Sequence, residues 1–354
     1  MTFPANIDEI CPDWINATLR SSGVLRDSKV VSLRKQVIGE EAGFLSTVAR
    51  VMLEYDHVET GAPSTVIVKL QPADAHFVEA EHELHAFKRE MRFYDEVAPT
   101  APIRLPRIYG LPEDPPHAAL IMEDLSFATM GDQVIGIHHD QVVNVACTIG
   151  RLQAKYWANE SLASLDWMPR KDHFDDDFVS KWPVFADRYR DVLSDDAISL
   201  GERVCNVLPE IRRQISLRPK TIVHQDLRAD NIAFSQGENG EEAIIFDWQL
   251  AVRSMGAFDI ARLLGGSESM KERRGHQTEV VRAWHDELLE GGVVDYSWDE
   301  ALRDFKLGAL TALAFPVHFC SDKPSAGSRA DVLFTLIAER LFASALEIDA
   351  ISVV

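Results

Sequence analysis

One stretch of the sequence limits the possible folds more than any other: TIVHQDLRADNIAF at residues 221–234, followed by AIIFDWQLA at residues 243–251. Three short apolar runs in it border on polar residues: Asp226 follows the first run, Asn231 begins the second and Asp247 ends the third. Strand ends joined by tight loops can bring these side chains together, although Asp247 is distant in sequence. Two carboxylates and an amide oxygen are hard-oxygen ligands that suit Mg²⁺ bound with phosphate oxygens.

The spacing of the polar residues is itself informative. H-x-D-x-x-x-x-N, here His224 to Asn231, followed by an aspartate at the end of a later strand, is the pattern of a kinase catalytic loop. Phosphoryl transfer needs a metal that neutralises the developing charge and a base that holds the acceptor hydroxyl. The alternative for the loop alone is a polar turn in which Asp226 and Asn231 cap the backbone.

A lysine upstream supports the first interpretation. Lys69 ends the apolar strand TVIVKL, where a buried ammonium needs a counter-charge. Kinases use a strand lysine that holds the ATP phosphates and a helical glutamate that holds the lysine. We predict that Glu90 is this glutamate, because it lies on the apolar stripe of a predicted helix at residues 77–97. The rival carboxylates in that helix are Glu81, Glu83 and Glu96. Taken in isolation, Lys69 would be predicted as an edge-strand lysine in solvent.

Two backbone segments are candidates for further nucleotide contacts. Gly39 and Gly43, in GEEAGFLST, precede the first hairpin strand, and backbone amides in such a loop could cover phosphates. An ordinary turn explains the two glycines about as well. In LIMEDLS, the backbone of Glu123 and Leu125 is predicted to contact an adenine edge.

The order of predicted elements divides the chain near residue 125. Residues 1–125 are β-rich with one main helix, and we predict a nucleotide-binding domain there. Its predicted elements are a helix at 7–20, strands at 44–55 and TVIVKL that form a hairpin, the helix at 77–97, and strands at PRIYGL and AALIMEDLS. Residues 126–354 are mostly helical and are predicted to carry the catalytic loop and the acceptor-binding helices. The predicted helices there are 142–156, 178–193, 202–216, 277–290, 299–313 and 329–347, with strands at TIVHQ, NIAFS and AIIFDW.

Composition excludes several classes of partner. The net charge of the 354 residues is -20, from 56 acidic and 36 basic side chains, which disfavours nucleic acid and anionic membranes. No apolar run approaches the roughly 20 residues of a membrane helix. The N-terminus lacks the features of a signal peptide. No CxxC or Cys/His cluster appears, which argues against a zinc site. We therefore expect a cytoplasmic protein, monomeric or homodimeric, with reduced thiols.

These motifs resemble those of the aminoglycoside phosphotransferase/choline kinase-like superfamily, from about residue 35 to 345. The loop VHQDLRADNIAF resembles that superfamily's H-G-D-x-x-x-x-N loop, and FDWQ stands where its metal-binding D-F-G equivalent belongs. FDWQLAVRSMGAFDIARLLGG is similar to the ecdysteroid-kinase-like branch and its bacterial relatives. The resemblance implies an α+β, bilobal protein-kinase-like fold, with a small β-rich N-lobe containing one main helix and a larger, mostly helical C-lobe.

The resemblance also implies roles for matching positions. Asp226 would orient and deprotonate the acceptor hydroxyl, and Asn231 and Asp247 would hold Mg²⁺. Lys69 would contact the ATP phosphates and pair with Glu90.

Two further positions would support the catalytic loop. His224 would stabilise it from within, a role close to that of an ordinary hydrogen-bonded core histidine. Asp259 would brace it from the following helix without touching the substrate.

Three residues deserve separate expectations. Gln225 replaces the usual glycine, which puts in doubt a backbone conformation with positive φ there, although protein kinases carry arginine at this point and a side chain is not excluded. Gln249 stands where many antibiotic kinases have an acidic residue, which favours the ecdysteroid-kinase-like branch. We hypothesise that Arg228, two positions after the base, contacts the transferring phosphate. The alternative for Arg228 is a surface arginine paired with Asp230.

The sequence leaves three functions open. The first is an ATP- and Mg²⁺-dependent small-molecule kinase that phosphorylates a hydroxyl of a bulky, partly apolar metabolite (sterol-like, lipid-like or hydroxyacyl). The second is an aminoglycoside-type antibiotic phosphotransferase, which the acidic charge balance allows. The third is a catalytically silent kinase-like binding module. The segment around Trp167, Phe174, Phe178 and Trp182 is a candidate acceptor pocket, although its aromatics could equally form core.

Overall fold

The structure is a computed structural model that describes residues 3–38, 47–71, 85–115, 117–172, 177–238, 240–319 and 327–354. The chain divides into two compact units. The first unit contains Met1–Ala101, Leu105–Ala128 and Phe246–Leu250, and the second contains Pro102–Arg104, Thr129–Ile245 and Ala251–Val354. The domains predicted from the sequence, 1–125 and 126–354, remain a prediction about function.

An antiparallel sheet dominates the first unit. Its strands are β1 (Val30–Ile38), β2 (Thr47–Tyr55), β3 (Thr65–Leu70), β4 (Ile108–Gly110), β5 (Glu113–Asp114) and β6 (His117–Glu123). The strand order is β1-β2-β3-β6-β4, and β5 pairs with β6. Strand β3 is therefore central, and its Lys69 pairs with Leu120 of β6. The predicted hairpin is confirmed, because β2 and β3 pair antiparallel.

The core of the first unit lies between one face of this sheet and helix α1 (Pro12–Ser21). Buried side chains alternate along β2 and β3, including Val51 and Val66, and Trp14 of α1 packs against them. The unit also contains α2 (Ala86–Arg92), which continues as a π-helix at Phe93–Val97. The remaining 3₁₀ turns of this unit are Ile7–Glu9, Ala98–Thr100, Leu125–Phe127 and Trp248–Leu250.

The second unit is mainly helical. Its helices are α3 (His139–Lys155), α4 (Glu160–Ala163), α5 (Phe178–Arg188), α6 (Asp195–Ser216), α7 (Ala257–Ser267), α8 (Met270–Arg273), α9 (Gln277–Glu290), α10 (Trp298–Ala312), α11 (Ala314–Phe319) and α12 (Arg329–Glu347). Helix α7 packs against α10 and α12, and α3 packs against α9. All residues of α7 are buried, so the core of the second unit surrounds this helix.

Short strands in the second unit hold the catalytic-loop sequence. β7 (Thr129–Met130), β9 (Ile232–Gly237) and β10 (Gly240–Ile245) form one antiparallel sheet in the order β10-β9-β7. β8 (Thr221–Val223) pairs with β11 (Val252–Ser254). The residues from His224 to Asn231 therefore form the connection between two strands, with a 3₁₀ turn at Ala229–Asn231.

The predicted fold class is confirmed, and the local differences have simple causes. Strand β1 was missed because Val30–Ile38 mixes polar and apolar residues without a buried face of its own. Helix α6 begins earlier than predicted, because Ser194 caps it through the backbone amide of Ala197. Helix α5 ends at Arg188, before the predicted end at 193.

Within the described residues, Cys11, Cys147 and Cys205 have free thiols. Across that same part of the chain, no helix has the length and apolarity needed to cross a membrane.

Candidate functional site

The first unit holds Lys69 between two carboxylates. Lys69 Nζ lies 2.6 Å from Glu90 Oε2 and 2.9 Å from Asp247 Oδ1. Of the three side chains, Lys69 is 9% exposed, Glu90 2% and Asp247 24%. Burial lowers the pKa of Lys69, but the charges of Asp247 and Glu90 outweigh it and hold that pKa above its ordinary value. The ammonium is therefore charged, and it pairs with Glu90 as the sequence predicts.

Local structure explains why Asp247 reaches the lysine. The ring of Trp248 stacks on Phe93 at the end of α2, with a centroid distance of 4.0 Å and an interplanar angle of 7°. Asp247 itself has φ of 66°, a left-handed conformation that non-glycine residues adopt only at a cost. Gln249 Nε2 donates to Asp247 Oδ2 at 3.3 Å. Stacking and this hydrogen bond fix the carboxylate, and Gln249 has a structural role where an acidic residue would repel it.

The second unit holds Asp226 by three donors. Asp226 Oδ1 accepts a hydrogen bond from Arg262 Nη2 at 3.1 Å. Asp226 Oδ2 accepts from Arg228 Nε at 3.0 Å and from Asn231 Nδ2 at 3.2 Å. Burial raises the pKa of Asp226, but the positive charges of Arg228 and Arg262 prevail and lower it below the ordinary value. The carboxylate is ionised and fixed in orientation.

The orientation of the Asn231 amide follows from its donors. Its nitrogen donates to the backbone oxygen of Asp226 at 2.9 Å and to the Asp226 carboxylate. Within the described part of the chain, no hydrogen bond reaches Asn231 Oδ1, so the amide oxygen has its lone pairs available. An available amide oxygen is the group that a magnesium ligand requires.

The loop before Asp226 is fixed from helix α7. Asp259 Oδ2 accepts from the backbone nitrogen of His224 at 2.8 Å, and Oδ1 accepts from that of Gln225 at 3.0 Å. Asp259 therefore braces the loop, as the resemblance implied. Burial raises the pKa of Asp259 to about 7, against the backbone hydrogen bonds, which lower it. His224 is fully buried, in agreement with a supporting role.

Gln225 adopts a left-handed backbone conformation, which is uncommon for a residue other than glycine. Its φ is 72°, so the conformation that the replacement of glycine put in doubt is the one adopted. The left-handed region costs a residue with a Cβ about 1–2 kcal/mol. The hydrogen bond from its amide to Asp259 offsets that cost, and the loop keeps the shape that glycine would have permitted.

Arg228 has three polar partners in the second unit. Besides Asp226, its Nη1 donates to Asp230 Oδ2 at 2.7 Å and to Gln133 Oε1 at 3.0 Å. The side chain is only 17% exposed. The pairing with Asp230 is the contact that the alternative interpretation named, and the phosphate contact stays a prediction.

Arg262 is a site residue that the sequence reasoning missed. It is fully buried in α7, and its guanidinium carbon lies 4.0 Å from the centroid of the Phe315 ring. A Cβ on Gly266 would lie 2.3 Å from Arg262 Nη1, so glycine leaves room for the guanidinium in its present position. The available signal was one arginine in the apolar run DIARLL, three residues after Asp259. An arginine in so apolar a helix needs a buried anion, and Asp226 is that anion.

The other predicted nucleotide-binding positions are only partly described. Gly39 and Gly43 lie outside the described residues, as do Glu81 and Glu83. The amide of Glu123 donates to the backbone oxygen of Arg107 at 2.8 Å. Leu125 begins the 3₁₀ turn that Asp124 caps. Contacts of Glu123 and Leu125 with an adenine remain a prediction.

Two of the four aromatic residues proposed for the acceptor pocket are core, and Trp167 is half-buried. Phe178 and Trp182 are buried, and Trp182 packs against Phe185 and Phe342. Gly201 allows this close approach, because a Cβ there would lie 2.0 Å from the Trp182 ring. Phe174 lies outside the described residues. For Phe178 and Trp182, the structure agrees with the alternative interpretation that these aromatics form core.

Comparison with known proteins places these residues in a wider group. Among curated proteins, none matches the sequence significantly. A protein from Ralstonia eutropha with the provisional assignment of aminoglycoside phosphotransferase superimposes with a TM-score of 0.57 at 15% identity, covering 96% of this chain and 98% of that one. A choline kinase from Cryptosporidium parvum gives 0.53 at 12% identity, with 95% of each chain covered. A Plasmodium vivax ethanolamine kinase gives 0.50 at 15% identity, covering 91% of this chain and 84% of that one.

At these identities the structural matches establish a protein-kinase-like fold and nothing about substrate. The family evidence is stronger, because the profile of the ecdysteroid kinase-like family matches residues 40–292, which include Lys69, Asp226 and Asp247. The chain belongs to the ecdysteroid kinase-like family.

Proposed function

We propose that this protein is an ATP- and Mg²⁺-dependent kinase that transfers the γ-phosphate to a hydroxyl group of a small molecule. The observation that carries the proposal is the buried Lys69, held by Glu90 and by Asp247. A charged ammonium that is kept buried by two carboxylates is costly for stability alone. It is explained if Lys69 binds ATP phosphate oxygens, the role of the strand lysine in kinases.

The available oxygens fit the metal that this reaction uses. The Asn231 amide oxygen accepts no hydrogen bond within the described residues, and Asp247 contributes a carboxylate at the end of the FD motif. We propose that Asn231 and Asp247 hold Mg²⁺, which supplies neutralisation of phosphate charge when bound. Asn231 offers an amide oxygen and Asp247 a carboxylate oxygen. The donor set is therefore the hard-oxygen type that Mg²⁺ prefers, without imidazole or thiolate.

Asp226 is the proposed partner of the acceptor hydroxyl. Its pKa lies below the ordinary value, so it is ionised at neutral pH and accepts a hydrogen bond from the hydroxyl. A carboxylate with a lowered pKa is a weak base, so proton transfer from the hydroxyl to Asp226 belongs late in the reaction, when bond formation to phosphorus has made the hydroxyl more acidic. Its first role is therefore orientation, and Arg228 and Arg262 maintain it.

For the acceptor we propose a bulky, partly apolar alcohol, of a sterol-like, lipid-like or hydroxyacyl type. Membership of the ecdysteroid kinase-like family supports this class. Gln249 supports it too, since its amide hydrogen-bonds Asp247 where many antibiotic kinases have an acidic residue. The net charge of -20 is the feature that favours a cationic aminoglycoside as the second candidate.

The test is a screen of alcohols for acceptor-dependent ADP release, with Asp226→Asn as the inactive variant. We expect steroid, lipid and hydroxyacyl alcohols to stimulate release in the unmodified protein, and Asp226→Asn to lose at least a hundredfold of that stimulation. Stimulation by aminoglycosides alone would select the second candidate. Binding of Mg²⁺-ATP without turnover on any alcohol would indicate a silent binding module.

A further inference from the structure

A second group of ligand-type side chains lies elsewhere in the second unit. His139 begins α3, His276 is the N-cap residue of α9, and Glu279 lies in the first turn of α9. One nitrogen of each histidine and one oxygen of the glutamate all lie within 4.8 Å of one another. Phosphoryl transfer, as proposed above, makes no use of these residues.

Two of the three distances within this group are close to those of a tetrahedral metal site, and the third, between the two histidine nitrogens, is no longer than 4.8 Å. His139 Nε2 lies 3.5 Å from Glu279 Oε2, and His276 Nδ1 lies 3.4 Å from the same oxygen. Ligands bound to zinc at 2.0–2.1 Å in tetrahedral geometry lie about 3.4 Å apart. The 3.4 Å separation is a long hydrogen bond between His276 Nδ1 and Glu279 Oε2 and equals that edge, and the 3.5 Å separation is slightly longer than the edge.

A buried carboxylate orients the first histidine. Glu268, which is fully buried, lies with Oε1 2.9 Å from His139 Nδ1. If Nδ1 donates this hydrogen bond to the Glu268 carboxylate, Nε2 is the ring nitrogen left for a metal ion. That atom is buried and has no hydrogen-bond partner among the described residues. A carboxylate behind a histidine is the usual outer partner of a histidine metal ligand.

The charge of the group suits a cation. In the tautomer with Nε2 unprotonated, His139 Nε2 and the Glu279 carboxylate face each other as acceptors, and a cation between them would remove their repulsion. The N-termini of α3 and α9 disfavour a cation through their dipoles. The carboxyl groups of Glu268 and Glu279 beside the histidines offset that effect.

We propose that His139, His276 and Glu279 bind a borderline divalent transition-metal ion of the Zn²⁺ class, and that the ion ties the start of α3 to the start of α9. Two imidazoles and one carboxylate suit Zn²⁺ or Co²⁺ rather than Mg²⁺. Three protein ligands leave a fourth position for water. The site does not depend on the proposed kinase activity, and it differs from the sequence-based expectation because its ligands are distant in the chain and include no cysteine.

The test uses tag-free, full-length protein that has been treated with a chelator and is kept in excess Mg²⁺ to occupy oxygen sites. Co²⁺ is titrated and followed by visible absorption, and Zn²⁺ is then added in competition. We expect one Co²⁺ per chain with the intense d–d bands of a tetrahedral ion, displaced by Zn²⁺. His276→Gln and Glu279→Gln should each weaken Zn²⁺ binding at least tenfold.

His57→Gln is the matched control, because His57 is 55% exposed and pairs with Asp56, as His276 is 56% exposed and pairs with Glu279. Its Zn²⁺ affinity should equal that of the unmodified protein. Zn²⁺ should also raise the melting temperature of the unmodified protein and not that of Glu279→Gln. Absence of stoichiometric Co²⁺ binding, or equal affinity in all three variants, would overturn the proposal.

Discussion

At the scale of single residues, the feature with the most direct consequence is the ion pair inside the first unit. Lys69 keeps one carboxylate partner, Asp247, when the other is removed. Glu90 is 2% exposed, so a neutral isostere replaces its charge without opening a cavity. A substitution of Glu90 can therefore change the position of the Lys69 ammonium while the protein stays folded.

We predict that Glu90→Gln lowers kcat/KM for ATP ten- to a hundredfold, mainly through KM. The loss of one charge-assisted hydrogen bond, worth about 1.5–3 kcal/mol, leaves the ammonium less well oriented toward phosphate. Steady-state kinetics at varied ATP concentration measure the change. Glu96→Gln is the control, since Glu96 pairs with Arg92 instead and should change neither constant. Equal kinetics for both variants would show that Glu90 does not position Lys69.

The buried guanidinium of Arg262 leads to a second prediction. Arg262→Met removes one of the two cations on Asp226 and leaves Arg228 in place. We expect kcat to fall at least tenfold while KM for ATP stays the same, because the change affects the orientation of the base and not the lysine. Arg329→Gln removes a neighbouring arginine that contacts Asp230 and should leave kcat unchanged. A parallel rise in KM for ATP would indicate a general disturbance.

At the scale of elements, helix α7 and the catalytic loop behave as one structure. Both Asp259 and Arg262 extend from this fully buried helix, Asp259 to the loop backbone and Arg262 to Asp226. Gly265 lets Leu341 of α12 pack closely, since a Cβ there would lie 2.5 Å from Leu341 Cδ2. The position of the loop is therefore set by how α7 fits into the core.

The raised pKa of Asp259 predicts opposite effects of pH on activity and stability. With a pKa of about 7, Asp259 takes up a proton in the folded state as pH falls through 7, and one carboxyl oxygen then loses its place as acceptor for the loop amides. Activity should fall over that range. Stability should rise as pH falls from 7 toward the ordinary aspartate pKa, because the folded state binds this proton more tightly than the unfolded state.

Asp259→Asn tests this linkage, because its side chain does not titrate. We expect kcat to be low at every pH and to lack the acid limb near 7 that the unmodified protein shows. Protonation of ATP is common to both proteins and cancels in the comparison. An unchanged acid limb in Asp259→Asn would assign the titration to another group.

The strained turn before Asp226 gives a prediction about stability. Replacing Gln225 by glycine removes the cost of its left-handed conformation, which we expect to raise the free energy of unfolding by up to about 1 kcal/mol. Denaturant unfolding of Gln225→Gly measures it. Gln225→Ala keeps the Cβ and should be close to the unmodified protein. If both variants were equally stabilised, the side chain and not the backbone would be responsible.

The elements also show what the sequence could and could not predict. Lys69 and Glu90 were predictable, because a buried lysine in a strand requires a charge and the helical stripe selected which one. Asp259 was predictable only through resemblance. The contact of Arg262 with Asp226 spans 36 positions, and no local periodicity encodes it. The positive φ of Gln225 could not be settled from the sequence, because residue type alone does not show the hydrogen bond that offsets the strain.

At the scale of the whole molecule, the two units differ in how they hold charge. The first unit places a cation between two carboxylates, and the second places a carboxylate between two guanidinium groups. Lys69 and Asp226 thus each have their counter-charges within their own unit. The surplus acidic residues that make up the net charge of -20 are not compensated in this way, and their repulsion acts on the folded chain as a whole.

This repulsion predicts that salt stabilises the protein. Raising NaCl from about 20 mM to about 500 mM shortens the screening length and weakens repulsion between exposed carboxylates more than the attraction within buried pairs. We expect the melting temperature to rise by about 1 °C for each kcal/mol of relieved repulsion, as differential scanning calorimetry would measure. Choline chloride at equal ionic strength should act similarly, since the effect is one of screening. A melting temperature that falls with both salts would mean that surface ion pairs outweigh the excess negative charge.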